Sequence, residues 1–231
     1  MRAPLAALVA AAVLAGLGVG ARPVHAQPAG RVVGTVAVTE ADGARARGAE
    51  VIVYVVGFKE PATAPDAAAA TIAQQGRKFV PELVAVTAGD RVAFPNADRF
   101  LHNVFSPSQA RPFDLGSFKK GETKAKAFTT PGVVDVYCNI HPEMAATILV
   151  VPNRRHTRVA ADGTFTLAGV PPGTWTVFAY TRRAAKPVST KVTIAAGGEA
   201  RVELALQRGA EPAHLNKYGE TYRPEPPHTY R

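Results

Sequence analysis

Cysteine is almost absent from this sequence of 231 residues, which contains only Cys138. A chain with one cysteine cannot form an internal disulfide bond, so packing alone must hold its core. Methionine is equally scarce, because Met144 is the only one besides the initiator. Basic side chains are not interleaved with aromatic ones, which argues against nucleic-acid binding. After residue 26 no stretch is apolar enough to predict a membrane span.

The first 26 residues have the pattern of a secretory signal peptide. Met1 and Arg2 give a short positive start, residues 5–19 are apolar, and Val24-His25-Ala26 supplies small residues before a cleavage site. We therefore expect cleavage near Ala26/Gln27 and a periplasmic or otherwise secreted protein. An uncleaved anchor helix is the alternative, but the apolar run is shorter than the ~20 residues that a span needs. No cysteine directly follows the run, so a lipoprotein anchor is not expected.

Basic residues outnumber acidic ones by 27 to 18, which gives a formal net charge of +9. Removal of residues 1–26 takes away Arg2 and Arg22 and leaves a net charge of +7. This excess favours a partner with an acidic surface and a salt-sensitive encounter. A plain solvated exterior explains the same charges equally well.

The two scarce sulfur-containing residues flank a histidine in the pattern Cys138-x2-His141-x2-Met144. Residues 133–138 alternate as a strand that delivers Cys138 to its end, and Pro142 predicts a turn that returns Met144 to the same place. One thiolate, two imidazoles and a weak axial thioether form the ligand set of a mononuclear blue-copper centre. The second imidazole must come from elsewhere in the chain, and we expect His102 to supply it.

Three other interpretations of Cys138 are weaker. An inert buried cysteine would leave the histidine and methionine spacing unexplained. Zinc accepts cysteine and histidine, but a thioether suits it poorly. A catalytic thiol with a histidine base would leave Met144 without a role. The remaining histidines, His156, His214 and His228, are interpreted as solvated side chains.

The rest of the chain predicts an all-β fold. Residues 30–58 predict a strand, a turn and a strand, and the alanine- and proline-rich residues 61–70 predict a loop. Residues 71–152 have strands at regular intervals and no helical period, as in a β-sandwich. The alternation resumes over residues 157–206. Residues 208–231 form a Pro-rich polar tail that we expect to be mobile or to lie along the surface.

Five segments within residues 71–152 together resemble the cupredoxins, the blue-copper electron-transfer proteins. They are Phe79-Val80-Pro81, Ala88-Gly89-Asp90, Asn96-Ala97-Asp98, His102-Asn103-Val104 and residues 138–144. The ligand loop is most similar to that of the amicyanins, and the remainder is close to the plastocyanins. The resemblance implies a Greek-key sandwich that holds one copper ion.

The cupredoxin resemblance also implies roles for individual residues. His102, Cys138 and His141 would be the strong equatorial ligands, with Met144 as the long axial one. The backbone N–H of Asn103 would donate to the thiolate and its side chain would tie the two ligand loops together. Asn139 is expected to stabilise the geometry of the ligands without binding the metal itself. Electrons would leave through His141, beside Pro142, where a partner would dock.

Residues 157–206 resemble the carboxypeptidase-regulatory-like, or transthyretin-like, β-sandwich. The matching segments are Asp162-Gly163-Thr164-Phe165 and Val170-Pro171-Pro172-Gly173-Thr174-Trp175, and the opening pattern of that family occurs within residues 30–58. We therefore expect the cupredoxin, residues 71–152, to be inserted in a sandwich built from residues 30–58 and 155–207. The alternative is that residues 30–58 add strands to the cupredoxin. The combination resembles exported methylamine-utilisation or plastocyanin-like proteins.

These features favour electron transfer between redox partners by Cu(I)/Cu(II) cycling. A copper carrier or storage protein without a redox role is the alternative, and an adhesion or scaffold module with structural copper is a third. An enzyme is not expected, because the sequence offers neither a second copper cluster nor paired carboxylates beside an open site.

Overall fold

The computed structural model describes residues 27–60, 70–109 and 111–222, and these residues form β-strands, turns and loops without any helix. The prediction of an all-β fold is therefore confirmed. The expected signal peptide, nearly all of the expected loop at 61–70, and residues 223–231 with His228 lie outside the described residues. The strands are β1 (Gly30–Thr39), β2 (Val51–Val56), β3 (Ala70–Thr71), β4 (Ala73–Gln74), β5 (Phe79–Val80), β6 (Leu83–Thr87), β7 (Arg91–Pro95), β8 (His102–Ser106), β9 (Phe113–Phe118), β10 (Thr123–Ala127), β11 (Gly132–Tyr137), β12 (Ala145–Val151), β13 (His156–Arg158), β14 (Thr164–Val170), β15 (Gly173–Thr181), β16 (Val188–Ile194) and β17 (Glu199–Gln207).

Two sheets formed from the first and the last strands enclose one apolar core. In one sheet β1 lies between β14 and β17, antiparallel to β14 and parallel to β17. The other sheet has the order β13-β2-β15-β16. Buried and exposed residues alternate along β1 and β17, so each strand gives one apolar face to the core. We call β1, β2 and β13–β17 the outer sandwich; its core includes Val32, Val53, Leu167, Val177 and Ile194.

The strands between β2 and β13 enclose a second core. Their sheets have the orders β10-β7-β3 and β6-β12-β11-β8-β9, with β4 and β5 as a separate pair. We call β3–β12 the inner sandwich. Its core contains Phe79, Phe94, Phe118, Phe128 and Ile148, and both Cys138 and Met144 belong to the same cluster.

A small apolar cluster joins the two sandwiches. Residues of β2 and β15 contribute to it from the outer sandwich, and residues of β6 and β12 contribute from the inner one. Polar contacts cross the same junction, since Glu50 accepts a hydrogen bond from the Leu83 N–H and Arg158 donates to the Leu83 carbonyl. The buried members of the junction cluster are Ile52, Leu83, Leu149, Val151 and Tyr180.

Candidate metal centre

The ligand loop, residues 138–144, joins β11 to β12 at one end of the inner sandwich. Tyr137, the last residue of β11, pairs with Phe105 of β8 on one side and with Ala145 of β12 on the other. This pairing brings Cys138 beside β8, which begins at His102. Two backbone hydrogen bonds close the loop, from the Cys138 N–H to the Met144 carbonyl (3.2 Å) and from the Met144 N–H to the His141 carbonyl (3.1 Å).

Three of the predicted ligands converge at this point. Nδ1 of His102 lies 2.9 Å from Nδ1 of His141, and Cys138 Sγ lies 3.9 Å from the first nitrogen and 3.8 Å from the second. His102 and Cys138 have no exposed surface, and His141 is 7% exposed. Within residues 27–60, 70–109 and 111–222, this is the one group of three or more histidine, cysteine or acidic side chains whose ligand atoms are close enough to share a metal ion.

The three donor atoms fit a single ion. Bonds from thiolate and imidazole to a divalent metal are about 2.0–2.3 Å long, so atoms at these separations can all reach one centre. Thiolate is a soft ligand that suits Cu(I), and imidazole serves copper in both of its oxidation states. The donor set therefore fits copper.

The Cys138 thiol is buried among apolar residues and accepts hydrogen bonds from backbone N–H groups. Burial raises the pKa of this thiol, while the N–H groups of Asn103 and Ile140 favour the thiolate. These two nitrogens lie 3.5 and 3.4 Å from Sγ. Since a metal binds the thiolate, capture of an ion releases the thiol proton.

Asp98 orients His102. Its Oδ2 lies 2.8 Å from Nε2 of the imidazole, while Nδ1 of the same ring faces Cys138 and His141. Burial alone would raise the pKa of Asp98, but hydrogen bonds from the Arg77 and Gly76 N–H groups and from His102 lower it below its usual value. A carboxylate behind a metal-binding histidine fixes its tautomer and ring orientation. This role of Asp98 was not predicted from the sequence, although a carboxylate four residues before His102 was an available signal.

Met144 lies directly before β12 and is fully buried. It packs in the same apolar cluster as Cys138, and its backbone makes both hydrogen bonds that close the loop. This position is compatible with an axial ligand, and that role stays a prediction.

The side chains of Asn103 and Asn139 connect the ligands to neighbouring segments. Asn103 donates through Nδ2 to Oδ1 of Asp114 (2.7 Å), and so its side chain is hydrogen-bonded to β9. Asn139 accepts a hydrogen bond at Oδ1 from the Lys217 N–H (2.9 Å). Lys217 lies in the polar tail, which therefore reaches the ligand loop.

Two histidines differ from their interpretation as solvated side chains. The His214 ring is half-buried and stacks on Tyr137, with centroids 3.8 Å apart and planes at 18°. His156 pairs with Tyr54 in the outer sandwich, and burial lowers its pKa. Neither environment could be read from local sequence, because each is formed by residues distant in the chain.

Four apolar residues next to the proposed ligands in the chain are exposed. Phe100, Leu101 and Ile140 are 39%, 49% and 38% exposed, and Pro142 is exposed as well. The Phe100 ring lies 6.3 Å from the ring of His141, centroid to centroid. We call these four residues the apolar patch. His141 lies beside the apolar patch through Phe100, and the roles of His141 in electron exit and of Pro142 in docking stay predictions.

Comparison with known proteins gives relatives for part of the chain. No family model matches it. Over 72 residues it is 36% identical to the plastocyanins of Ulva arasakii and Ulva pertusa, a match that covers 27% of this chain and 74% of each relative. The plastocyanin of Ulva prolifera is 33% identical over the same length and with the same coverage.

Solved structures of copper proteins also resemble part of the chain. A copper-containing nitrite reductase from Thermus scotoductus is 28% identical with a TM-score of 0.35, over 42% of this chain and 25% of that one. A purple cupredoxin from Nitrosopumilus maritimus is 21% identical with a TM-score of 0.32, over 36% and 99% of the two chains. A Cu(I) form of an amicyanin variant is 20% identical with a TM-score of 0.34, over 43% and 98%.

Among the described residues, no helix is long and apolar enough to cross a membrane.

Proposed function

Because this chain belongs to the plastocyanin family and has copper as its cofactor, we propose that it is an exported type 1 copper protein that carries single electrons between redox partners. The observation that carries this proposal is the convergence of His102 Nδ1, Cys138 Sγ and His141 Nδ1 within 3.9 Å of one another. Met144 completes the proposed ligand set as the weak axial donor.

When bound, copper supplies a one-electron couple between Cu(I) and Cu(II). The residues around it keep the donor atoms in place. Asp98 fixes the His102 ring, and the backbone bonds between Cys138, His141 and Met144 close the loop. Ligands fixed in this way need little rearrangement when the charge of the centre changes. Their burial also keeps water from the donors.

We assign electron exchange to the apolar patch, through His141. This histidine is the only one of the four proposed ligands with measurable exposure, at 7%. The exposed Lys119 lies opposite Leu101, because Phe118 pairs with His102 in the antiparallel β8–β9 ladder. Lys120 and Arg99 are exposed nearby in the chain. An acidic surface on a redox protein would complement these charges and speed the encounter.

We propose no enzymatic role. His102, Cys138 and Met144 have no exposed surface, so a substrate would have to displace the protein around them. Electron carriage needs no such access, since only the edge of His141 must approach the partner. The proposed export rests on the signal-peptide pattern of residues 1–26.

The strand pairing supports an inserted arrangement of two domains. Strands β1 and β2, from residues 30–58, pair with β13, β14, β15 and β17, from residues 155–207. Residues 71–152 would then form a cupredoxin inserted between the two parts of a transthyretin-like sandwich. We propose that this outer sandwich orients or docks the carrier.

Reversible redox cycling separates electron transfer from copper carriage or storage. The copper-loaded protein should bleach when ascorbate is added and regain its colour when an oxidant follows, over repeated cycles without loss of copper. A protein that holds Cu(I) tightly but does not return to the coloured state would favour storage. Loss of copper during each cycle would also contradict electron carriage.

A further inference from the structure

The chain that follows β17 crosses the ligand loop. We call residues 211–222 the C-terminal strap. Their hydrogen bonds reach three of the first five residues of the loop. Tyr222 donates from its hydroxyl to the Cys138 carbonyl (3.0 Å), and the Lys217 N–H donates to Oδ1 of Asn139 (2.9 Å). His214 Nε2 lies 2.9 Å from the Pro142 carbonyl, which can only accept, so Nε2 carries the donated proton.

Aromatic packing adds to these hydrogen bonds. The His214 ring lies flat on Tyr137, the residue directly before Cys138. The Tyr222 ring meets the His214 ring edge-on, at 5.3 Å and 83°. The strap therefore covers the Tyr137 side of the loop, while Phe100 and Ile140 remain exposed elsewhere around it.

The strap is also fixed to structure outside the ligand loop. Lys217 Nζ pairs with Oδ2 of Asp114 at 2.7 Å, and Oδ1 of the same carboxylate accepts from Asn103. Asn103 in turn donates from its backbone to Cys138 Sγ. At the start of the strap, Glu211 forms a two-point ion pair with Arg182, whose side chain is only 15% exposed. The strap is thus bound to β9 and to the outer sandwich.

We propose that the C-terminal strap positions the ligand loop for copper, with Tyr222 and His214 as its positioning residues. Cys138 and His141 lie in one short loop, and an unsupported loop would lose conformational freedom when both side chains bind one ion. A strap that already holds the Cys138 and Pro142 carbonyls removes part of that cost, which is the general advantage of preorganisation. The proposal rests on the proposed function, because it assigns the strap to the same copper site.

The test compares Tyr222→Phe with Tyr218→Phe. Each variant removes one hydroxyl from the strap, but Tyr218 is 71% exposed, and phenylalanine keeps the ring that lies 5.2 Å from Lys217 Nζ. We expect Tyr222→Phe to release copper to a chelator about tenfold faster, in line with the effect of losing a support behind metal ligands. His214→Ala should act in the same direction. Tyr218→Phe should have a much smaller effect, because Lys217 keeps its ion pair with Asp114 and its backbone hydrogen bond to Asn139.

A second measurement needs no copper. In the metal-free protein, amide hydrogen exchange of residues 138–144 should be faster in Tyr222→Phe than in Tyr218→Phe, while exchange in β1 and β17 stays unchanged. Equal exchange and equal copper release in the two variants would overturn the strap's role and leave the proposed function intact. A wild type that binds no copper would overturn the proposed function, whatever the exchange shows.

Discussion

At the scale of single residues, the site depends on a carboxylate that does not itself face the metal position. Asp98 holds His102 through Nε2, and the N–H groups of Gly76 and Arg77 hold Asp98. The imidazole is therefore fixed from the side opposite to Cys138. Histidines held in this way keep their ring orientation and present the correct nitrogen to a metal.

Replacement of Asp98 by Asn should weaken copper binding about 10- to 100-fold, because an amide is a poorer acceptor for the imidazole N–H. Asp162→Asn is the matched control, since Asp162 accepts its hydrogen bonds from Thr164 in an exposed turn of the outer sandwich, far along the chain from the ligands. Competition with a copper chelator at constant pH measures both affinities. Equal affinities for the two variants would contradict the role of Asp98.

The lowered pKa of Asp98 predicts how stability depends on pH. A carboxyl group whose pKa is lower in the folded state contributes stability above its unfolded pKa of about 3.9, and loses it as pH falls through the folded value. The metal-free wild type should therefore be more stable than Asp98→Asn at pH 6. The difference in melting temperature should shrink below about pH 4. A constant difference across this range would show that the charge of Asp98 is not involved.

Residue chemistry explains which parts of the site were predictable. Cys138 and His141 could be proposed as ligands because the lone cysteine, a histidine and a scarce methionine share one regular spacing, and His102 because its segment resembles the cupredoxins. The cupredoxin resemblance implies that the Asn103 side chain ties the two ligand loops together, which stays a prediction. Its hydrogen bond to Asp114 depends on the β8–β9 register and could not be predicted from local sequence. The stacking of His214 on Tyr137 depends on where the tail returns, which no local pattern specifies.

At the scale of elements, β12 connects the two cores. All seven of its residues are buried, because Ile148 and Val150 pack inside the inner sandwich while Leu149 and Val151 pack against the junction cluster. This explains why its sequence is continuously apolar, whereas β1 and β17 alternate with one face exposed. The alternation predicted strands correctly, but it could not predict that β1 pairs in parallel with β17 across most of the chain.

Leu149→Ala should lower the free energy of unfolding by about 2–5 kcal/mol, because it opens a cavity in the junction cluster. Leu101→Ala makes the same chemical change at a side chain that is 49% exposed, and should change stability by no more than about 0.5 kcal/mol. Chemical denaturation of the metal-free proteins measures both effects. Similar losses at the two positions would mean that the junction cluster does not stabilise the fold.

At the scale of the whole molecule, the basic charge should govern encounters with redox partners. Lys119 and Lys120 are exposed in the turn that follows β9, whose last residue pairs with His102. Electron exchange with anionic hexacyanoferrate should therefore slow as ionic strength rises from ~0.01 to ~0.15 M, over which the screening length falls from about 30 to 8 Å. Exchange with a cationic ruthenium ammine should speed up over the same range.

Paired substitutions show whether charges near the apolar patch carry this effect. Lys119→Gln with Lys120→Gln should reduce the salt dependence with the anion. Lys186→Gln with Lys191→Gln removes the same charge from exposed positions of the outer sandwich and should change the salt dependence less. Equal effects of the two pairs would show that the salt dependence comes from the net charge of the protein and not from the lysines near the apolar patch.

The most direct measurement is visible absorption of the purified protein after addition of Cu(II), beside the Cys138→Ser variant. We expect an intense thiolate-to-copper band in the wild type and none in the variant, since the serine hydroxyl is not a soft sulfur ligand. Circular dichroism should show that both proteins keep the same β-structure. A wild type without the band, or a variant that keeps it, would contradict a copper centre built on Cys138.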